Sequence, residues 1–219
     1  ISDQLKSRSY LEIGVHEGLT FKNVNVNSRV AVDPNFAFDI TNYKNENTSF
    51  ERLTSDSFFS QLTISNKFDF IFIDGLHTFE QTYRDLCNVF LHWHARSVIL
   101  IDDTLPDDVY SALPNHALAI KFRLEAGGVG QSWHGDVFKT IFALHDFHPG
   151  LNYRTITGSG NPQTLIWQSK SNSARTPLFN SLEKISRLTY FDLMNNVDVM
   201  KTCSEDDAIN TLVTEMKNH

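Results

Sequence analysis

The residues best placed for chemistry are three aspartates and one histidine. Asp74 closes the apolar run Phe68–Ile73, and Asp102-Asp103 closes the apolar run Ser97–Ile101. Continuous apolar runs of this length suit strands buried on both faces of a parallel sheet. In such a sheet the strand ends are neighbours, so the three carboxylates can converge. Left alone they would repel one another and resist ionisation. A hard divalent cation such as Mg²⁺ takes oxygen ligands and relieves that repulsion. The pattern therefore predicts a metal site at Asp74, Asp102 and Asp103. His77 follows Asp74 by three residues and carries a side chain that titrates near neutral pH. Each of these residues also has a structural use. An Asp after a strand can cap a helix or loop, and His77 can sit in the capping region beside Thr78.

A second group is suited to holding a cofactor. The run Tyr10–Ile13, which contains Glu12, leads into Gly14-Val15-His16-Glu17-Gly18. A glycine at each end of the loop lets the backbone pass close to a ligand. The loop lacks the middle glycine of the dinucleotide fingerprint, which weakens a pyrophosphate reading. The run Arg29–Val32 ends in Asp33, a carboxylate able to accept from both hydroxyls of a ribose. Ser55 and Asp56 offer polar groups that can reach an adenine edge.

The elements needed to hold these groups are legible in outline. Apolar runs alternate with amphipathic stretches, the mark of βαβ repetition. Strands are expected at Tyr10–Ile13, Arg29–Val32, Phe50–Leu53, Phe68–Ile73 and Ser97–Ile101. Phe79, Tyr83, Leu86, Phe90 and Trp93 recur at helical spacing, so a helix is expected over Thr78–His94 with Thr78 as its cap. Residues 104–134 read as a long loop with a short helix, a candidate lid. There Trp133 could stack on a sugar and His134 could reach substrate. Asp136–His145 reads as a helix. Leu151–Thr157 and Thr164–Gln168 read as a hairpin joined by Gly158-Ser159-Gly160-Asn161-Pro162, and the chain from Pro177 reads as helical. The fold expected is α/β and Rossmann-like: a doubly wound, mostly parallel sheet with a C-terminal β-hairpin and helices on both faces. One domain spans 1–175, with 104–135 as its lid or acceptor loop, and 176–219 extend it as helices.

Composition narrows the partners. The 219 residues carry a net charge of −7, which argues against a nucleic-acid backbone as partner. No apolar run reaches the roughly 18 residues of a membrane span. Cys87 and Cys203 match no metal or redox spacing, and a cytoplasmic setting is expected. The chain opens on Ile1 rather than Met, so it reads as trimmed or as part of something longer.

The segment Leu11–Thr20 resembles the first motif of class I S-adenosylmethionine-dependent methyltransferases, and Val30-Ala31-Val32-Asp33-Pro34 resembles their second. Phe70–His77, with the helix that follows, resembles a bacterial group of the same superfamily. The resemblance covers roughly residues 8–103. The Asp74 and Asp102-Asp103 spacing is similar to that of metal-dependent O-methyltransferases of the catechol, caffeoyl and macrolide-sugar types. It implies a cofactor site formed by Glu12, Gly14, His16, Gly18, Asp33, Ser55, Asp56 and Asp74. Glu12 and Gly14 would lie at the methionine end, Asp33 at the ribose, and Ser55 and Asp56 near the adenine. It also implies His77 as general base in divalent-metal-assisted O-methylation of a small hydroxylated acceptor, a sugar or a phenol. The other readings are a metal-independent methyltransferase, an NAD-dependent oxidoreductase, and a non-catalytic S-adenosylmethionine-binding module. A homo-oligomer stays open.

Overall fold

The computed structural model describes residues 1–158, 160–169 and 175–217. Ser159 in the expected hairpin turn and residues 170–174 before the expected boundary at 175 lie outside them. Eight strands make one sheet: β1 (Ser9–Ile13), β2 (Ser28–Val32), β3 (Thr48–Glu51), β4 (Phe70–Ile73), β5 (Val98–Ile101), β6 (Leu151–Ile156), β7 (Gln163–Gln168) and β8 (Thr202–Cys203). Their order is β3-β2-β1-β4-β5-β7-β6-β8. The first five are parallel, β7 runs antiparallel to both β5 and β6, and β8 lies parallel to β6. The expected Rossmann-like α/β sheet, mostly parallel and with a C-terminal hairpin, is present.

The helices are α1 (Ser2–Leu5), α2 (Leu19–Asn23), α3 (Ser55–Gln61), α4 (Phe79–Val89), α5 (His116–Glu125), α6 (Phe138–Phe147), α7 (Leu182–Ser186), α8 (Tyr190–Asn195) and α9 (Glu205–Lys217). Strand alternation divides the core between the two faces of the sheet. Ile71, Ile73, Ile99 and Ile101 join one cluster with Phe79 and Leu86 of α4 and Phe138 and Phe142 of α6. Phe70, Phe72, Val98 and Leu100 join the other with Phe21 of α2 and Leu212 of α9. Full burial of each such side chain stabilises the fold by about 1.5–3 kcal/mol. These double-faced strands fix the heights at which Asp74 and Asp102 leave the sheet, because Ile73 and Ile101 are direct partners in register.

Several boundaries differ from expectation. The third strand is Thr48–Glu51 rather than Phe50–Leu53, placing Leu53 beyond the sheet. The central helix stops at Val89 rather than His94. His92 Nδ1 donates to Asn66 O (3.0 Å) and its ring stacks on Phe59, while His94 pairs with Asp69 at 2.8 Å. These side chains tie down a turn instead of extending the helix. Thr78 makes no side-chain cap. Instead the first amide of α4, Phe79 N, donates to Asp136 Oδ1 at 2.8 Å. The segment after Pro177 is not helical throughout, since Thr202–Cys203 adds a strand beside β6.

Candidate active site

A cavity of about 910 Å³ opens outside the carboxyl ends of β1, β2, β4 and β5, where open α/β sheets bind ligands. Its first wall is the loop after β1. Gly14 has φ +83°, and a Cβ there would fall 1.9 Å from the Asp74 carbonyl oxygen. The ends of β1 and β4 therefore close on each other with no room for a side chain. His16 also sits in the left-handed region at φ 44°. Gly18, at φ +70°, lies off the cavity; it precedes α2, and a Cβ there would strike the Phe38 ring.

Asp33 holds this loop in shape. Its Oδ2 accepts from Val15 N and His16 N, both at 2.8 Å, and its Oδ1 accepts from Asn35 N at 2.7 Å. A ribose would share oxygens already engaged with backbone. Glu12 is buried within β1 and accepts from Tyr10 Oη at 2.6 Å. Burial pushes its carboxyl up to about 8 against that hydrogen bond, with Asp74 and Asp33 adding to the rise. Ser55 and Asp56 begin α3 and line the far end of the cavity. Gln81 and Asp85 of α4 line it too. Sequence reasoning missed both. Their spacing of four puts them on one helix face, but an isolated Gln and Asp on a helix read as solvated surface.

The four residues singled out for chemistry line the opposite end. His77 lies between two carboxylates, with Nδ1 2.9 Å from Asp103 Oδ2 and Nε2 3.5 Å from Asp74 Oδ1. The Nδ1 contact is an ion-pair contact without hydrogen-bond alignment. Asp103 takes this position from a left-handed backbone turn at φ 57° and is 3% exposed. Burial lowers the affinity of His77 for a proton, but the two carboxylates outweigh it and push the imidazole up to about 10. Burial raises Asp74 above its ordinary value, more than His77 lowers it. Asp102 turns aside, accepting from Asp103 N at 3.0 Å and Gln163 Nε2 at 3.2 Å. Burial, with the charges of Asp74 and Asp103, pushes Asp102 up to about 7.

Among the described residues, the ligand atoms gathered tightly enough for one cation are those of Asp74, His77 and Asp103, all within 4.8 Å of one another. Asp102 is not in that group, so the gathered set differs from the expected three aspartates. The buried Asp103 Oδ1 has no hydrogen-bond partner, as fits an oxygen reserved for a cation. The two carboxylates of that set suit a hard divalent cation such as Mg²⁺.

The rest of this end comes from the segment expected to be a lid. It holds a ten-residue helix, α5, tied back by Arg123 to Asp108 at 2.9 Å. Trp133 donates from Nε1 to Leu113 O at 2.7 Å and stacks on His77, with centroids 4.7 Å apart and planes 12° from parallel. It also meets His116 at 4.9 Å. Its ring packs on both imidazoles and lines the cavity. Gly135, at φ +65°, passes so close that a Cβ would fall 1.7 Å from His77 O. His134 is buried behind Asp103, with Nε2 3.7 Å from Asp103 Oδ1.

Residues 11–104 match the family model described as a methyltransferase domain. Comparison with curated protein sequences gives no match. Solved structures similar to this chain include an SAH-bound methyltransferase of Podospora anserina, at 13% identity and a TM-score of 0.52, with 77% of this chain and 75% of that one covered. A cofactor-bound protein of MTB aligns at 17% identity and a TM-score of 0.54, covering 75% of this chain and 74% of that one. At such identities the likeness is one of fold. No helix among the described residues is long and apolar enough to cross a membrane.

Proposed function

We propose that the chain transfers the methyl group of S-adenosylmethionine to the hydroxyl of a small acceptor, with a divalent cation at the Asp74–Asp103 end. The observation that carries this reading is the charge of the cavity. Among the described residues, Glu12, Glu17, Asp33, Asp56, Asp74, Asp85, Asp102 and Asp103 line it, and no lysine or arginine does. Such a wall favours a cationic sulfonium and a metal ion, and it opposes the pyrophosphate of a nicotinamide cofactor.

Each residue then has a task. The Gly14–His16 backbone lets the methionine end approach the sheet, and Glu12 and Asp74 face its positive charge. Asp33 supports the ribose while clamping the loop. Asp74 and Asp103, with Asp102 beside them, would hold the cation, which when bound lowers the pKa of an acceptor hydroxyl. His77 receives the acceptor proton at Nε2, because its Nδ1 is buried against Asp103. It can do so only when Asp74 and Asp103 are engaged elsewhere, since alone they keep it protonated. S-adenosylmethionine supplies the methyl: the acceptor oxygen bonds its carbon as the carbon–sulfur bond breaks to a neutral sulfide. Trp133 and Gly135 fix the His77 ring and backbone, and positioning of that kind is a large part of such a rate.

The test is transfer of labelled methyl from S-adenosylmethionine to a panel of phenols and sugars, with and without chelator. Product that disappears on chelation and returns with Mg²⁺ or Mn²⁺ is expected. Undiminished product under full chelation would overturn the metal part. Absence of transfer to any hydroxyl, with transfer to amines or thiols instead, would overturn the acceptor class.

A further inference from the structure

Three consecutive residues close on the pair formed by His77 and Asp103. Trp133 stacks on the His77 ring, and Gly135 passes against the His77 carbonyl oxygen. His134, between them, faces Asp103. Its Nε2 lies 3.7 Å from Asp103 Oδ1, while Asp103 Oδ2 lies 2.9 Å from His77 Nδ1. Asp103 therefore stands between two imidazoles. His77 lines the cavity, whereas His134 is buried and does not. Any effect of His134 on a bound ligand must pass through Asp103.

The backbone at His134 is anchored from the other side. Its N–H donates to Ser111 O at 3.0 Å. Ser111 is buried, and its own N–H donates to Asp108 Oδ1 at 2.6 Å. Asp108 is in turn paired with the buried Arg123 at 2.9 Å. The place of the ring is thus set by the fold, not by hydrogen bonds of its own. Its Nδ1 has no hydrogen-bond partner, and neither has Asp103 Oδ1. A buried polar atom left without a partner costs stability. An apolar ring would fill the same space without that cost, so packing alone does not account for a histidine here. A carboxylate only accepts, so the proton His134 can offer Asp103 belongs on Nε2. The separation is too long for that bond, and a small turn of either side chain would close it. We propose that His134 is a positioning residue, whose Nε2–H fixes the Asp103 carboxylate as a ligand for the divalent cation. The inference rests on the metal reading above. Oδ1 has two lone pairs, one for the cation and one for His134. A partner of this kind behind a ligand sets its orientation and the affinity for the metal.

Titration with Mn²⁺ of the chain saturated with S-adenosylhomocysteine, followed by the paramagnetic resonance of the free ion, tests it. His134→Phe keeps a ring and removes the donor. It should weaken Mn²⁺ binding by about tenfold or more, the scale of a lost partner behind a metal ligand, and leave the affinity for S-adenosylhomocysteine unchanged. His134→Gln, whose amide N–H reaches the same place, should restore most of the lost Mn²⁺ affinity. Native Mn²⁺ affinity in folded His134→Phe overturns the inference, as does a folded His134→Gln that binds no tighter than His134→Phe. Where neither variant folds, a crystal structure of the native chain with Mn²⁺ decides. The 3.7 Å gap between His134 and Asp103 should close to about 2.7–3.2 Å, and a gap left open overturns the inference. A native chain that binds no Mn²⁺ overturns the metal reading and this inference with it, whereas the other failures leave that reading standing.

Discussion

At the scale of single residues, burial and backbone geometry set what each group can do. Glu12 has its folded-state value raised to about 8 from an ordinary 4.5. A raised value means the folded chain holds the proton more tightly. Its stabilising effect is therefore full below about pH 4.5 and is lost as pH rises through about 8. Glu12→Gln, which keeps the shape and removes the charge, should raise Tm by about 2–4 °C at pH 9, corresponding to about 1 kcal/mol at this chain length. It should have little effect at pH 5, and thermal scans at both values check this. At pH 9, where Glu12 is charged, the same variant should bind S-adenosylmethionine more weakly, because the charge that costs stability is one that faces the sulfonium. Glycines allow a similar contrast. Gly135→Ala would set a methyl into His77 O, whereas Gly127, at φ +79°, has open space around it. Gly127→Ala should cost only the left-handed penalty of about 1–2 kcal/mol. Gly135→Ala should cost about 3 kcal/mol or more, read by urea unfolding.

At the scale of elements, the account turns on α4, which runs from His77 at one end of the cavity past Gln81 and Asp85 at the other. Its start is fixed by Asp136, far along the chain, which also pairs with the buried Lys139 at 2.7 Å. Asp136→Ala should therefore cost more than the roughly 1 kcal/mol of a simple cap, since it strands a buried ammonium as well. Asp136→Asn should recover the cap and not the ion pair. Denaturation of the two variants side by side checks the order. This cap was not legible in the sequence, where Thr78 stood in the better-looking position. The strands were legible, because Phe70–Ile73 and Val98–Ile101 bury both faces and so leave an unbroken apolar run. Their ends located Asp74 and Asp102-Asp103. What the run could not tell is which way each carboxylate turns. That depends on the left-handed turn at Asp103, which carries Asp103 to His77 and leaves Asp102 with Gln163. The end of α4 was misread because Phe90 and Trp93 keep helical spacing while packing from a turn. Trp133 and Gly135 meet His77 only through tertiary folding, so no local spacing announces them.

At the scale of the whole molecule, the sheet gathers acidic groups from four strand ends into one cavity, on a chain whose net charge is already −7. This charge should draw in cationic ligands. The affinity for S-adenosylmethionine should fall as salt rises, as expected where attraction depends on screened charge. S-adenosylhomocysteine, lacking the sulfonium charge, should fall less. A ligand bound only by the folded chain also raises its stability in proportion to occupancy. The central claim is that this cavity is a methyl-donor site. Its most direct test is calorimetric titration of the native chain with S-adenosylmethionine, and in parallel with NAD, at neutral pH and low salt. Saturable binding of S-adenosylmethionine at one site per chain, with none of NAD, is the result predicted. Binding of NAD with no heat from S-adenosylmethionine at millimolar concentration would contradict it.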